Sequence, residues 1–342
     1  MQHTRTSIQA LRPFHHQHAS HCESGVMSAI VRHYGLPLSE PMALGLSSAL
    51  SFAYLPFIKL GGLPLVAYRM PPRAIIRGLQ KPLGLTMRTE TFRTAAKGQA
   101  RLDALLDDGK VVGLQTSVFW LPYFPENLRF HFNAHNVLAY GRDGANGDYL
   151  LSDPVFEEPV RCAAPDLARA RFARGVLAPK GLLYYPDNRP TEPDWHKVIP
   201  AAIRKTVRIM LRTPVPLIGV RGIERVARAV ERLPTGDKVP QSKLFVGHLV
   251  RMQEEIGTGG GGFRYMYASF LEEAAAHCTR PALGELAGEL VEIGDSWREF
   301  ALAAARMIRD RDPFDPGRLA GLLRGQGARE KDFFGRLERA LA

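Results

Sequence analysis

The chain has 342 residues, 45% hydrophobic and 23% charged, the composition of a folded globular protein with room for one large core or two. A formal charge of +11 and a pI near 9.8 favour an acidic partner, and nucleic acid, an anionic membrane and an acidic carrier protein all qualify. Three widely spaced cysteines, Cys22, Cys162 and Cys278, exclude a disulfide framework and a paired-cysteine zinc site.

The N-terminal stretch carries Arg5 and Arg12 but sets His15-His16-Gln17-His18 where a secretory leader needs an apolar core, so the expected location is the cytoplasm. His21-Cys22-Glu23-Ser24-Gly25 then opens an apolar run at helical spacing, with Val26, Ile30 and Tyr34 on one line and Met27 and Val31 on the next. Gly35 and Pro37 close that helix. A cysteine at a helix start meets unpaired N–H groups and partial positive charge, which favour the thiolate.

Ser39 is suited to cap a second helix, with Pro41 in its first turn. Residues 41–58 carry no charge but are broken by serines and Pro56, so they read as core, or as the wall of an acyl pocket, rather than as a membrane span. Strands are expected over 52–57 and 63–70, split by Gly61-Gly62, and a short helix over 72–80. A strand over 85–92, a helix over 101–106 and a strand over 111–120 follow. Strands over 134–140 and 149–152 flank the Asn146-Gly147 turn signal, with another strand over 182–185. Residues 1–190 therefore form an α+β domain with a mainly antiparallel sheet.

A Pro-rich linker spans 187–193, and residues 191–342 read as a second, all-α domain. Its helices are expected over 201–211, 222–233, 243–256, 263–277 and 282–308, with a last one after Gly327.

A thiolate nucleophile needs a base and a group to orient it. His135 begins an apolar strand, and the next strand ends in Ser152-Asp153-Pro154. An antiparallel hairpin would bring His135 and Asp153 to one sheet edge, with Asp153 on one ring nitrogen and the other facing Cys22. Cysteine on an early helix, then histidine, then aspartate is the papain-like order. The plainer reading makes Cys22 a buried core thiol and Ser152-Asp153-Pro154 only a turn. Cys162 and Cys278 lack a convincing histidine partner and read as structural.

These residues carry a resemblance. The runs His21–Gly25, Tyr34–Glu40 and Gly45–Tyr54 resemble the N-terminal domain of the butirosin biosynthesis protein H family, and Phe132–His135 and Ser152–Pro154 resemble its later motifs. Gly257–Gly260 through Phe263–Tyr267 is similar to the helical domain that often follows. The resemblance implies a papain-like fold and an acyltransferase that moves an acyl or aminoacyl group from an acyl-carrier-protein thioester to a small-molecule amine. It maps the nucleophile to Cys22, the histidine to His135 and the acidic partner to Asp153. Papain-like enzymes also keep an oxyanion-donating glutamine shortly before the cysteine, and Gln17 is the candidate, beside the Cys22 backbone N–H. The donor implied is a carrier's phosphopantetheine thioester, with no bound cofactor.

His21, together with His18, and Glu23 flank Cys22 and are expected on the substrate side. The histidines from His15 to His21 match no standard zinc spacing, so no metal is expected. Gly257-Thr258-Gly259-Gly260-Gly261-Gly262 satisfies a dinucleotide pattern, but a helix precedes it and no Gly-Lys-Ser/Thr follows. A hinge remains, or a helix N-terminus that offers N–H groups to the carrier's phosphate, with Gly259, Gly260, Arg264 and Tyr267 as contacts. Residues 197–232 hold nine Lys/Arg against Glu224 and Glu231, a solvated face or a surface for an acidic partner. Without interleaved aromatics or a recognition helix, nucleic acid is not the expected partner. Two other functions fit the same residues: a hydrolase of the same fold (thioesterase, amidase or peptidase) and a non-enzymatic basic binding protein.

Overall fold

The structure is a computed structural model that describes residues 13–341. In chain order its elements are α1 (Cys22–His33), α2 (Glu40–Leu46), β1 (Leu50–Leu60), β2 (Leu63–Arg69), α3 (Ala74–Gly78), β3 (Met87–Glu90), α4 (Ala95–Asp107) and β4 (Val112–Thr116). Then come β5 (His135–Arg142), β6 (Tyr149–Ser152), β7 (Val160–Cys162), α5 (Ala164–Arg171) and β8 (Leu183–Pro186). Helices α6 (Trp195–Arg212), α7 (Gly219–Glu231), α8 (Val239–Glu254), α9 (Arg264–Cys278), α10 (Pro281–Ile308) and α11 (Pro316–Arg339) complete the chain. The mixture of helix with a small antiparallel sheet is an α+β architecture.

The chain divides into two compact units, one reaching to Ala43 and resuming over Ile75–Pro193, the other made of Leu44–Ala74 and Asp194–Ala342. The break at Pro193 falls in the expected linker. Residues 44–74 are the difference, because this hairpin belongs to the helical unit and that unit is therefore not all-α.

The first unit is built on a six-stranded antiparallel sheet in the order β3-β8-β4-β5-β6-β7. Side chains alternate across β5. Val137 and Ala139 join Leu102, Leu105, Leu167 and Ala170 of α4 and α5 in one buried core. Asn136 and Leu138 therefore face the opposite side, and α1 packs against β5. Strand β4 stops at Thr116 instead of running to Trp120. Ser117 N–H donates to Ala170 O at 2.9 Å and Val118 N–H to Phe132 O at 3.1 Å, which turns the chain out of the sheet. Helix α5 and strand β7 were not legible in the sequence. Both are short and lie in a stretch rich in Arg, Ala and Pro.

In the second unit β1 and β2 form an antiparallel two-stranded sheet. The last helix starts at Pro316, where Asp315 accepts from Arg318 N–H, well before Gly327. Gly317, Gly321 and Gly325 lie inside it and had masked its periodicity. No helix among the described residues is long and apolar enough to cross a membrane.

The glycine loop ahead of α9 requires correction as a phosphate site. Gly259, Gly260, Gly261, Gly262 and Phe263 all have positive φ, and a Cβ on Gly262 would stand 2.3 Å from the Tyr68 ring. Two of the loop's N–H groups are already used. Gly260 donates to Thr258 Oγ1 at 3.0 Å and Gly261 to the Glu254 carboxylate at 3.1 Å, a charge that repels phosphate. Arg264 is fully buried in a two-bond pair with Glu330 at 2.8 and 2.9 Å, and its guanidinium lies over the rings of Tyr68 and Trp297. Trp297 Nε1–H completes the set at Glu330, 2.7 Å away. Tyr267 is fully buried as well. Gly260, Arg264 and Tyr267 are therefore buried parts of a core and Gly259 is an exposed turn residue ahead of it, so the four do not form a phosphate cradle. Glu330→Ala leaves a buried cation unpaired and should cost about 3–5 kcal/mol in urea unfolding, whereas the exposed Arg228→Ala should stay within about 0.5 kcal/mol. A loss below about 1 kcal/mol for Glu330→Ala would show that Arg264 finds other partners.

Candidate active site

Cys22 is the first residue of α1, and the helix start is fixed by four local devices. His21 caps it, its Nδ1 accepting from Ser24 N–H at 3.3 Å and bonding Ser24 Oγ at 2.9 Å. Glu40 accepts from Ser20 N–H and His21 N–H, both at 2.8 Å, and from Ser24 Oγ at 2.9 Å. Ala19 N–H donates to Pro154 O at 2.6 Å. Gly25 sits so close to Pro154 that a Cβ there would lie 2.6 Å from the proline ring. The nucleophile candidate is thus held by the very turn that ends β6.

That turn carries Asp153. Thr116 pairs with His135 across β4 and β5, and Leu138 with Ser152 across β5 and β6, so His135 and Asp153 fall at one end of the sheet. His135 Nε2 is 2.7 Å from Asp153 Oδ2. The same oxygen accepts from Tyr123 Oη–H at 3.0 Å, and Oδ1 accepts from Val155 N–H at 3.3 Å. Asp153 is fully buried and His135 is 5% exposed. Phe124 packs edge-on against the imidazole at 5.5 Å between centroids. Burial alone lowers the His135 pKa, but the Asp153 charge, the hydrogen bond to it and the hydrogen bond with Cys22 together raise it to about 10. Burial, then Asp153, pushes Tyr123 well above the usual phenol range, so it stays a donor. With Nε2 committed to Asp153, Nδ1 is the nitrogen left for the thiol.

A side chain that sequence reasoning overlooked also reaches the sulfur. Asn136 Nδ2 lies 3.8 Å from Cys22 Sγ and donates to Ala134 O at 3.1 Å. Its Oδ1 accepts from the buried Tyr184 Oη–H at 3.0 Å, which fixes which way the amide points. The clue was the polar Asn136 inside an otherwise apolar strand, on the face alternate to Val137. Tyr184, far along the chain, gave no signal. Glu40 was read only as part of a motif.

Other expected site residues have different roles. Gln17 is exposed, while the amide beside the sulfur is that of Asn136. Glu23 is fully buried, and its Oε1 accepts from Ile75 and Ile76 N–H at 2.9 and 3.3 Å, so it anchors α3 and does not face a substrate. His21 is buried as a helix cap. His16 bridges Ser152 Oγ and Phe156 O at 2.7 and 2.9 Å, and so ties the N-terminal segment to the same turn. The Cys162 thiol is pushed up to about 12 by burial, and Cys278 Sγ–H donates to Trp195 O at 3.3 Å, both consistent with structural thiols.

A buried thiol, imidazole and carboxylate in hydrogen-bonded sequence at a helix start define a cysteine–histidine–aspartate constellation. The model of the N-terminal domain of butirosin biosynthesis protein H matches residues 21–154, which include all three, and a domain of unknown function (DUF4872) matches residues 165–337. The chain thus carries, over residues 21–154, the N-terminal domain of the butirosin biosynthesis protein H family, and it belongs over half its length to the DUF4872 family. No curated protein matches it in a sequence comparison.

Two tests address the constellation. The folded-state pKa of His135 lies above its ordinary 6.5, so its charge adds stability that is complete below about pH 6.5 and is lost as pH rises through about 10. The stability difference between wild type and Asp153→Asn, read from urea midpoints, should therefore be largest near pH 6 and shrink towards pH 10. A pH-independent difference would mean that Asp153 does not hold the imidazolium. Asn136→Leu removes an amide N–H that favours the anionic form of the sulfur by about 1.5 kcal/mol, and should slow alkylation of Cys22 by iodoacetamide near pH 7 about tenfold, with Tyr184→Phe milder. Unchanged alkylation rates would leave Asn136 as a packing residue.

Proposed function

We propose that the protein is a cysteine acyltransferase that takes an acyl or aminoacyl group from an acyl-carrier-protein thioester and gives it to a small-molecule amine, in specialised-metabolite or lipid biosynthesis. The observation that carries this reading is the buried chain of Cys22 at the α1 N-terminus, hydrogen-bonded to His135, which is in turn 2.7 Å from Asp153. The match of residues 21–154 to the N-terminal domain of butirosin biosynthesis protein H supports a biosynthetic enzyme.

In the first step the Cys22 sulfur attacks the thioester carbonyl and forms a C–S bond. The tetrahedral intermediate collapses by breaking the bond to the carrier's phosphopantetheine sulfur, which leaves with the proton of the His135 imidazolium. The neutral His135 then accepts a proton from the incoming amine as its nitrogen attacks the acyl-enzyme. Collapse forms the amide and releases Cys22 as thiolate beside the recharged imidazolium. Asp153 and Tyr123 hold the imidazole in one orientation through both steps, and Asn136 steadies the sulfur when it is anionic.

Intact-protein mass spectrometry after incubation with an acyl-carrier thioester should show one acyl adduct on Cys22, stable in buffer and discharged by an added amine. Cys22→Ala should show none, and His135→Ala should form it at least about a hundredfold more slowly. Rapid loss of the adduct in water alone would reassign the protein as a hydrolase of the same constellation.

A further inference from the structure

The helical unit carries a surface that the chemistry above leaves unused. Strand β1 pairs with β2 as far as Leu55↔Leu65 and resumes at Lys59↔Pro64, so Pro56, Phe57 and Ile58 bulge out with no partner across the ladder. Phe57 is 71% exposed and Ile58 40%. A bulge that turns large apolar side chains to water re-aims them for a purpose other than sheet packing. On its other edge β1 is tied to the turn before α7, where Tyr54 N–H donates to Leu217 O at 2.9 Å and Ala53 bridges Ile218.

Beside the bulge lies a pocket of about 200 Å³, floored by Tyr54, Pro56, Leu217 and Ala229 and rimmed by Arg225, Arg228 and Arg232. That volume holds a side chain or two and is below the size of a usual cofactor or drug-sized ligand site. The three arginines stand at i, i+3 and i+7 along α7 and its C-cap, Arg232, one exposed stripe about 10 Å long at 1.5 Å per residue. Of helix α7's own acids, Glu231 pairs with Arg324 of α11, while Glu224 pairs with Arg324 at 3.9 Å and, within the stripe, with Arg228 at 2.8 Å, which leaves Arg225 and Arg232 as its uncompensated charges. Arg225 and Arg232 form no ion pair among the described residues.

We infer that this surface docks an acidic amphipathic helix of the thioester-bearing carrier protein, an assignment that rests on the acyltransferase reading for the partner's identity. Carboxylates at helical i, i+3 or i+4, i+7 spacing match the arginine stripe. Apolar residues on the same helix cover Phe57 and Ile58 and fill the pocket. The concave pocket and the helical period of the charges favour a helix over a flat lipid surface. An arginine-edged, apolar-centred patch also has the composition of a protein interface.

The test uses the full-length protein, a fluorophore-labelled fatty-acid acyl carrier protein in its apo form, and vesicles with about one third phosphatidylglycerol. Wild type should bind the carrier, more weakly at higher salt. Arg225→Glu/Arg232→Glu and, separately, Phe57→Ser should each weaken binding about tenfold or more with unchanged far-ultraviolet circular dichroism. Acylation of Cys22 from the loaded carrier should fall in parallel, while acylation from an N-acetylcysteamine thioester stays as in wild type. Carrier binding that the substitutions leave intact overturns the proposal, as does equal loss with both thioesters or binding of the vesicles in place of the carrier. If wild type is acylated by neither thioester yet binds the carrier through these residues, the docking surface stands and the acyltransferase reading falls.

Discussion

A carboxylate with no water around it is the constraint on which the first unit depends. Asp153 is fully buried, and an ion in that position is tolerated only if its lone pairs are occupied. His135, Tyr123 and Val155 occupy them. The next residue, Pro154, receives Ala19 N–H and packs against Gly25, so the turn that satisfies the charge also seats α1. The position of Cys22 is a consequence of how Asp153 was buried. A change that relaxes this turn would therefore be felt at the sulfur before it was felt in the α4–α5 core.

The parts of the architecture readable in the sequence were those with a local physical signal. The α1 start, the Asn146-Gly147 hairpin and the long C-terminal helices have caps, turn residues or periodicity of their own. The hairpin alone was enough to bring His135 level with Asp153. What could not be read depended on partners distant in the chain. The membership of 44–74 in the helical unit is set by packing against α7 and α8, and the place of β8 inside the sheet by pairing with both β3 and β4. Asn136, Tyr184 and Glu40 are equally nonlocal, because an amide or carboxylate advertises nothing until the fold supplies its donor.

The glycine loop before α9 shows the opposite error. Its pattern is that of a phosphate loop, yet the physical use of the glycines is to run five successive residues, Gly259 to Phe263, through the left-handed region and bring Gly262 against Tyr68. That path delivers Arg264 to Glu330 beneath Trp297. A Gly-rich run followed by an arginine is thus ambiguous in sequence, since the same backbone freedom serves an anion or a buried guanidinium. The deciding feature is whether a carboxylate sits at the loop's N–H groups, and Glu254 does, at that of Gly261.

On the acyltransferase reading, the raised His135 pKa bears on the choice between amine and water. In the resting site it keeps the imidazole charged, a proton ready for the departing thiol. Once that proton has left, the neutral imidazole is a stronger base than an ordinary histidine, because Asp153 still stabilises the charged form it is about to become. Such a base accepts a proton from an attacking amine readily, but it would also activate water. Basicity alone therefore does not separate transfer from hydrolysis. Selectivity has to come from exclusion: Cys22 is only 7% exposed and the imidazole is walled by Phe124, so the nucleophile that arrives is the one the site admits. On that reading, the burial that forces Asp153 to find partners would also keep bulk water from an acyl-enzyme.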